Sequence, residues 1–357
     1  MKIIFDVKHL YYLPQYLPVY EELKSNNIET SFLFHRDPDE QTNNICKTVI
    51  DTLKLPANWV NQWSDAISYY RKTKATWIVV GNAIDNEKML HEVSKTALML
   101  HGIGPKACYY DSSNNQTSVR FVEGQHRLKR LSKLFPEGNF IDTGYAKLDP
   151  AFNQSKPPYK LQQLGLDPNK KTILYAPTFY PSSIELFPRD FPAELSDHNL
   201  IIKPHFFSLT KNRYRKQKQL IESWQQHTNV YVAPLVEYNL LPFMQIADIL
   251  ISEASSAMFE FAALGKPVIW ADFYKLRWSY RGVLSFRFTQ RIDSDIQYFN
   301  QVAYRAKKYP QIKQLLEELV NGNDYKSKER NEIIPELAGT IDGKCSKRIV
   351  DYFINNP

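Results

Sequence analysis

Short apolar runs ending on a polar residue or a glycine recur along the whole chain, and helical segments fill most of the gaps between them. Runs of four to six such residues are too short for helices. They are what strands buried on both faces of a parallel sheet look like. Lys2–Val7, Thr30–Phe34, Trp77–Val80, Ala97–Leu100 and residues 140–144 read as strands, with a helix over Leu17–Ser25. A polar stretch containing Pro150, Pro157 and Pro158 then reads as a linker. A second series follows it: strands at Thr172–Tyr175, Leu200–Lys203, Val230–Val232, Ile249–Ser252 and Val268–Ala271, with helices over Lys216–His227, Leu240–Ile246 and Ser256–Leu264. This alternation predicts an α/β protein of two Rossmann-type domains, residues 1–152 and 153–340. Val302–Val320 reads as one long helix with a basic face. Residues 341–357 carry a last helix, Cys345–Ile354, expected to pack back on the first domain. Ligands of such sheets bind beyond the carboxyl ends of the strands, which predicts a cleft between the two domains.

Composition narrows the classes. A length of 357 residues suits two domains, and 13% aromatic residues excludes a disordered chain. No window approaches the roughly 18 apolar residues that a membrane-spanning helix needs. Asp6 and Lys8 interrupt the first apolar run, so no signal peptide is expected and the location is read as cytoplasmic. Cys46, Cys108 and Cys345 are far apart and outside any metal-ligand spacing, which predicts reduced thiols and no zinc site. Lys and Arg number 45 against 38 Asp and Glu, a net charge of +7 that suits anionic partners. Basic clusters occur at Arg127–Arg130, Lys211–Lys216 and Arg305–Lys308, and the first two suit the anionic inner face of a membrane, as peripheral contact. No RNA-binding signature is present, so nucleic acid is not an expected partner.

Four elements at strand ends carry chemistry. Leu98–Lys106 delivers His101 at a strand tip, followed by Gly102, Gly104 and Lys106. The glycines let a substrate approach the main chain, and a histidine there can accept a proton near neutral pH. Ile173–Phe179 ends a strand on Ala-Pro-Thr, where the Thr178 hydroxyl and N–H could serve a phosphate oxygen. Leu200–His205 delivers Lys203 and His205, two donors for an anion. The richest element is Ala247–Ile269. A strand gives way to Ser255 and Ser256, a helix start able to bind phosphate, and Glu260 follows at a spacing suited to ribose hydroxyls. A nucleotide-diphosphate pocket is the reading of this element. No Asp-x-Asp motif for a metal lies in these four elements, so no obligatory metal and no separate cofactor are expected.

Five blocks occur in one order: His-Gly-x-Gly-Pro-Lys (101–106), Thr-Gly-Tyr-Ala-Lys-Leu-Asp (143–149), Leu-Tyr-Ala-Pro-Thr (174–178), Lys-Pro-His (203–205) and the serine block (252–267). The ordered set, with the tail 342–350, resembles the CDP-glycerol glycerophosphotransferase family, the teichoic-acid primases and polymerases. The resemblance implies a GT-B-like fold and transfer of glycerol phosphate, or a related polyol phosphate, from a CDP-linked donor to an acceptor hydroxyl, lipid-linked or glycan, in cell-surface polymer synthesis. It passes the role of base to His101 and that of pyrophosphate contact to His205, and puts the serine pair at Ser255 and Ser256. The family usually carries Asp-Tyr before that pair, where this chain has Glu253-Ala254. The chain is shorter than the polymerases, which favours a single-addition or compact transferase. Two other readings share the pocket: a nucleotide-sugar glycosyltransferase, and a non-catalytic nucleotide- or polymer-binding protein.

Overall fold

The structure is a computed structural model that describes residues 1–84, 88–104, 108–113, 116–153, 157–276 and 293–357. It forms two compact units: Met1–Ile103, Cys108–Asn153 and Glu336–Pro357 make the first, and Gly104–Ala107 with Gln154–Pro335 the second.

The first unit is built on a seven-stranded sheet of β1 (Lys2–Val7), β2 (Glu29–His35), β3 (Ala57–Val60), β4 (Trp77–Val80), β5 (Lys95–Met99), β6 (Val119–Val122) and β7 (Phe140–Asp142), in the order β3-β2-β1-β4-β5-β6-β7. Every pairing is parallel. β4 is buried at every residue, as expected for a strand covered on both faces. Ile4, Leu33, Tyr70, Ile78 and Leu98 share one core cluster. The Cys345–Asn355 helix belongs to this unit: Phe353 packs on Trp77 (5.1 Å) and Phe121 (5.4 Å). Asp149 caps the start of that helix from far away in sequence, accepting from Cys345 N (3.1 Å), Ser346 N (2.6 Å) and Ser346 Oγ (2.6 Å). Gly144 (φ +85°) and Gly339 (φ +78°) meet so closely that a Cβ on Gly339 would stand 2.8 Å from the Gly144 Cα. The 143–149 block and the tail are therefore packing partners.

The second sheet contains β8 (Thr172–Tyr175), β9 (Asn199–Ile202), β10 (Val230–Val232), β11 (Ile249–Ser252), β12 (Val268–Ala271) and β13 (Ala303–Ala306), in the order β10-β9-β8-β11-β12-β13 and again all parallel. Its core includes Tyr175, Phe187, Phe191 and Trp224. Both sheets reverse direction of growth beside their first strand, at β1/β4 and β8/β11, the points where doubly wound sheets open a crevice.

One expectation is corrected, and two strands are added to those expected. Val302–Val320 is not one helix. Ala303–Ala306 is the sixth strand, with Tyr304 in the core, and a new helix, Tyr309–Val320, begins with proline in its first turn, where the missing N–H costs nothing. β3 and β6 are strands that the apolar pattern does not reveal. β6 contains Arg120, which is buried and donates from Nη1 to the Tyr109 carbonyl (2.9 Å); burial lowers its pKa to about 9.

Candidate functional site

In the first unit, β5 runs through Leu100 into His101. The half-buried imidazole lies among three tyrosines: Tyr12, stacked at 5.2 Å, Tyr11 at 4.6 Å and Tyr109, edge-on at 5.9 Å. Its carbonyl accepts from the Tyr145 hydroxyl (2.7 Å), so the 143–149 block also fixes the backbone at His101. Tyr12 can sit here because Gly81, just past β4, has no side chain. A Cβ there would stand 2.4 Å from the Tyr12 ring. His9 stacks on Tyr11 (4.9 Å), and burial first, then Lys8, lowers its pKa. At the ends of β1 and β2, buried Asp6 accepts from the Tyr70 hydroxyl (2.5 Å) and pairs with His35 Nε2 (2.6 Å). Gly102 is buried, and Lys106 lies outside the described residues.

In the second unit, Lys203 directly follows β9, and its N–H donates to the Tyr175 carbonyl (2.9 Å). His205 then caps the short Phe206–Thr210 helix, its Nδ1 accepting from Phe207 N (3.2 Å). That bond assigns the tautomer: in the neutral ring the proton is on Nε2, which is therefore a donor. The imidazole is wedged between Phe179 (4.5 Å) and Phe207 (5.1 Å). Beyond β11, Ser255 is the N-cap of the Ser256–Ala262 helix, and its hydroxyl lies 3.0 Å from that of Ser252, which donates to the Ala176 carbonyl (2.7 Å). The Ser256 hydroxyl makes no hydrogen bond among the described residues. Gly104, which clusters with this unit, lies against the helix start: a Cβ there would stand 3.1 Å from Ser256 N. Glu260 is buried within the helix, between Phe259 and Phe261.

Thr178 is corrected. Its N–H donates to Glu253 Oε2 (2.6 Å) and its hydroxyl to the Pro181 carbonyl, so both donors expected for phosphate are already committed. They satisfy a carboxylate that the sequence presents only as a departure from a motif. Glu253 is 1% exposed and also accepts from Ser183 N (2.7 Å), Ser183 Oγ (2.6 Å) and Ser182 Oγ (3.4 Å). Burial pushes its pKa up to about 7, against the downward pull of those bonds. Lys266, after the serine helix, is structural: its ammonium caps the Leu241–Ile246 helix at the carbonyls of Met244, Gln245 and Ala247 (3.0, 2.7 and 2.7 Å).

The basic clusters are also partly spent inside the fold. Arg127 is buried, paired with Glu123 (2.5 Å) and lying 4.7 Å from the Tyr110 ring. Tyr214 is buried, while Arg213, Arg215 and Lys216 around it are exposed. Among the described residues no helix is long and apolar enough to cross a membrane, and no three His, Cys, Asp or Glu side chains group as metal ligands.

The family model described as CDP-Glycerol:Poly(glycerophosphate) glycerophosphotransferase matches residues 81–355, more than three quarters of the chain and every strand from β5 to β13. The chain belongs to this family. The teichoic acid glycerol-phosphate primase of Bacillus subtilis (strain 168) is 28% identical over 149 residues, 42% of this chain and 37% of that protein. The teichoic acid poly(ribitol-phosphate) polymerase of Bacillus spizizenii is 25% identical over 266 residues, 68% of this chain and 38% of that protein. The chain thus spans less than two fifths of the length of these curated relatives. Among solved structures, the wall teichoic acid polymerase TagF superposes with a TM-score of 0.68 at 16% identity, covering 99% of this chain and 88% of that one. UDP-GlcNAc 2-epimerase from Neisseria meningitidis gives 0.66 at 15% identity, covering 99% and 100%. The fold of this family member is GT-B-like, two units each with a parallel α/β sheet.

Proposed function

We propose that the chain transfers glycerol phosphate, or a related polyol phosphate, from a CDP-linked donor to an acceptor hydroxyl in the synthesis of a cell-surface polymer. The second unit takes the donor and the first the acceptor. Family membership sets the reaction class, and one observation carries the assignment of the donor side. His205, held in place by its Nδ1 as a helix cap, stands at the carboxyl end of the sheet that bears the serine turn. In this reading the acceptor hydroxyl attacks the donor's β-phosphorus and His101 takes its proton. The bond from that phosphorus to the oxygen of CMP breaks, and CMP leaves. His205, Lys203, Ser255 and Ser256 stabilise the charge that develops on the phosphate oxygens, and Glu260 holds the ribose. The acceptor is lipid-linked or a glycan. Exposed Arg213, Arg215 and Lys216 support peripheral contact with an anionic membrane face, each cation worth about 1 kcal/mol near such a surface.

The test is CMP release by the purified protein from CDP-glycerol, CDP-ribitol and UDP-sugars. Release from a CDP-alcohol alone is the expected result. Release of UDP from a UDP-sugar would assign a glycosyltransferase, and binding of CDP with no turnover of any donor would assign a binding protein.

A further inference from the structure

We propose that Glu253 is a positioning residue of the donor site, clamping the loop after β8 to the turn after β11 and holding His205 in place through Phe179. The proposal rests on the reading of this site as a donor site.

The two segments it joins leave neighbouring parallel strands at the switch point of the second sheet, where the backbone has no ladder partner beyond the strand ends. Something other than sheet pairing has to define the gap. Glu253 does so from the β11 side. One carboxylate oxygen takes Thr178 N, and the other takes the N–H and hydroxyl of Ser183, with Ser182 more distant. These donors bracket the 178–183 loop at both ends. The preceding residue, Ser252, adds a parallel tie to the Ala176 carbonyl and passes it on to the Ser255 hydroxyl. The serine turn and the loop are thus braced by adjacent residues on one strand end.

The loop carries Phe179. Its ring faces His205 at 4.5 Å, Phe207 at 5.1 Å and Tyr214 at 5.7 Å, and its carbonyl accepts from Gln217 Nε2 (3.1 Å). A shift of the loop therefore moves the ring against which the imidazole rests. Glu253 itself is not a phosphate ligand: it is acceptor-only when ionised, and like charge opposes contact with a donor pyrophosphate. An amide cannot replace it, because a Gln side chain would turn its NH₂ toward either the Thr178 or the Ser183 donors, leaving a buried pair unsatisfied.

The experiment is a double-mutant cycle of Glu253→Gln and Phe179→Leu, read by donor KM, acceptor KM, kcat and calorimetric affinity for CDP. Phe179 is half-buried, so its variant keeps the fold and the clamp and loses only the ring beside His205. Each single variant should raise donor KM and weaken CDP binding about tenfold, the scale of one lost buried hydrogen bond to a charged group, with acceptor KM unchanged. The double variant should be no worse than the more severe single one, because both act on one contact. A purely structural role would lower the melting temperature and leave the donor KM of the folded enzyme unchanged. A donor KM within twofold of wild type in Glu253→Gln, or single effects that multiply, overturns the proposal. If Glu253→Gln does not fold, Ser183→Ala replaces it in the cycle with the same criteria. A wild-type protein that binds no CDP overturns the donor-site reading and this proposal with it. Wild-type binding matched by the variants overturns this proposal alone.

Discussion

Gly81→Ala is the smallest change that should reach His101 without touching it. The added Cβ would lie 2.4, 2.6 and 2.8 Å from Cδ2, Cε2 and Cγ of Tyr12, where carbon contacts need about 3.5–4.0 Å. The ring must therefore retreat by about 1 Å. It has nowhere easy to go: Tyr12 is 2% exposed and packed by Tyr16, His9 and His101. Overpacking of this kind costs about 1–3 kcal/mol. The restricted unfolded chain returns about 0.4–1 kcal/mol, leaving a net loss of about 1–2 kcal/mol. That corresponds to a fall in melting temperature of about 2–8 °C. Activity should suffer more than stability, because Tyr12 is stacked on the imidazole and a 1 Å misplacement of a reacting group can cost about 100-fold. Thermal melting and kcat for CMP release, measured together, separate the two effects. Adding Tyr12→Leu to Gly81→Ala should recover stability, since the clash is gone, and leave kcat low. A Gly81→Ala protein that melts and turns over like wild type would refute the account of how His101 is held.

Replacing His101 with Ala should lower transfer by about 10²–10⁴ while CDP affinity and melting stay near wild type, and turnover within threefold of wild type would remove it as the base. Glu253, with its pKa raised to about 7, binds a proton in the folded state that the unfolded chain releases near pH 4.5. Its stabilising contribution is complete below about pH 4.5 and is lost as pH rises through 7, a change of about 3 kcal/mol that urea titrations at pH 5, 6 and 8 should show in wild type and not in Glu253→Gln. Asp149→Ala removes three bonds to the start of the last helix, and should cost about 2–4 kcal/mol and open the C-terminus to limited proteolysis; a proteolysis rate equal to wild type would contradict the capping role.

Legibility in the sequence followed burial. β1, β4, β8 and β11 could be read because both their faces are covered, which leaves apolar runs with few polar interruptions. β6 could not, since Arg120 breaks the pattern and its partner, the Tyr109 carbonyl, is visible only in three dimensions. In sequence Ala303–Ala306 resembles helix because Ala and Arg favour helices; the buried Tyr304 side chain and the pairing with β12 decide otherwise. His101, Lys203, His205 and the serine turn stand out because each follows a strand directly. Thr178 looked like a phosphate donor for the same reason. A linear reading sees its donors but not the Glu253 carboxylate, 75 residues away, that uses them. Counting charges likewise could not separate Arg127, spent on Glu123, from the exposed Arg213 and Arg215.

The helix that closes the first unit follows the whole second sheet along the chain. All seven strands of that unit have been synthesised by Asp142, yet the surface formed by Trp77 and Phe121 waits for Phe353. The whole second sheet, from Thr172 to Ala306, is produced in the interval. At about 5–20 residues per second the wait is on the order of 10–40 seconds. The unit begun first therefore finishes second, and during that time an aromatic face meant for the interior is exposed to chaperones and proteases. A ribosome that stalls anywhere before Cys345 releases a chain still carrying that face, which lets the cell's quality control tell unfinished copies from finished ones.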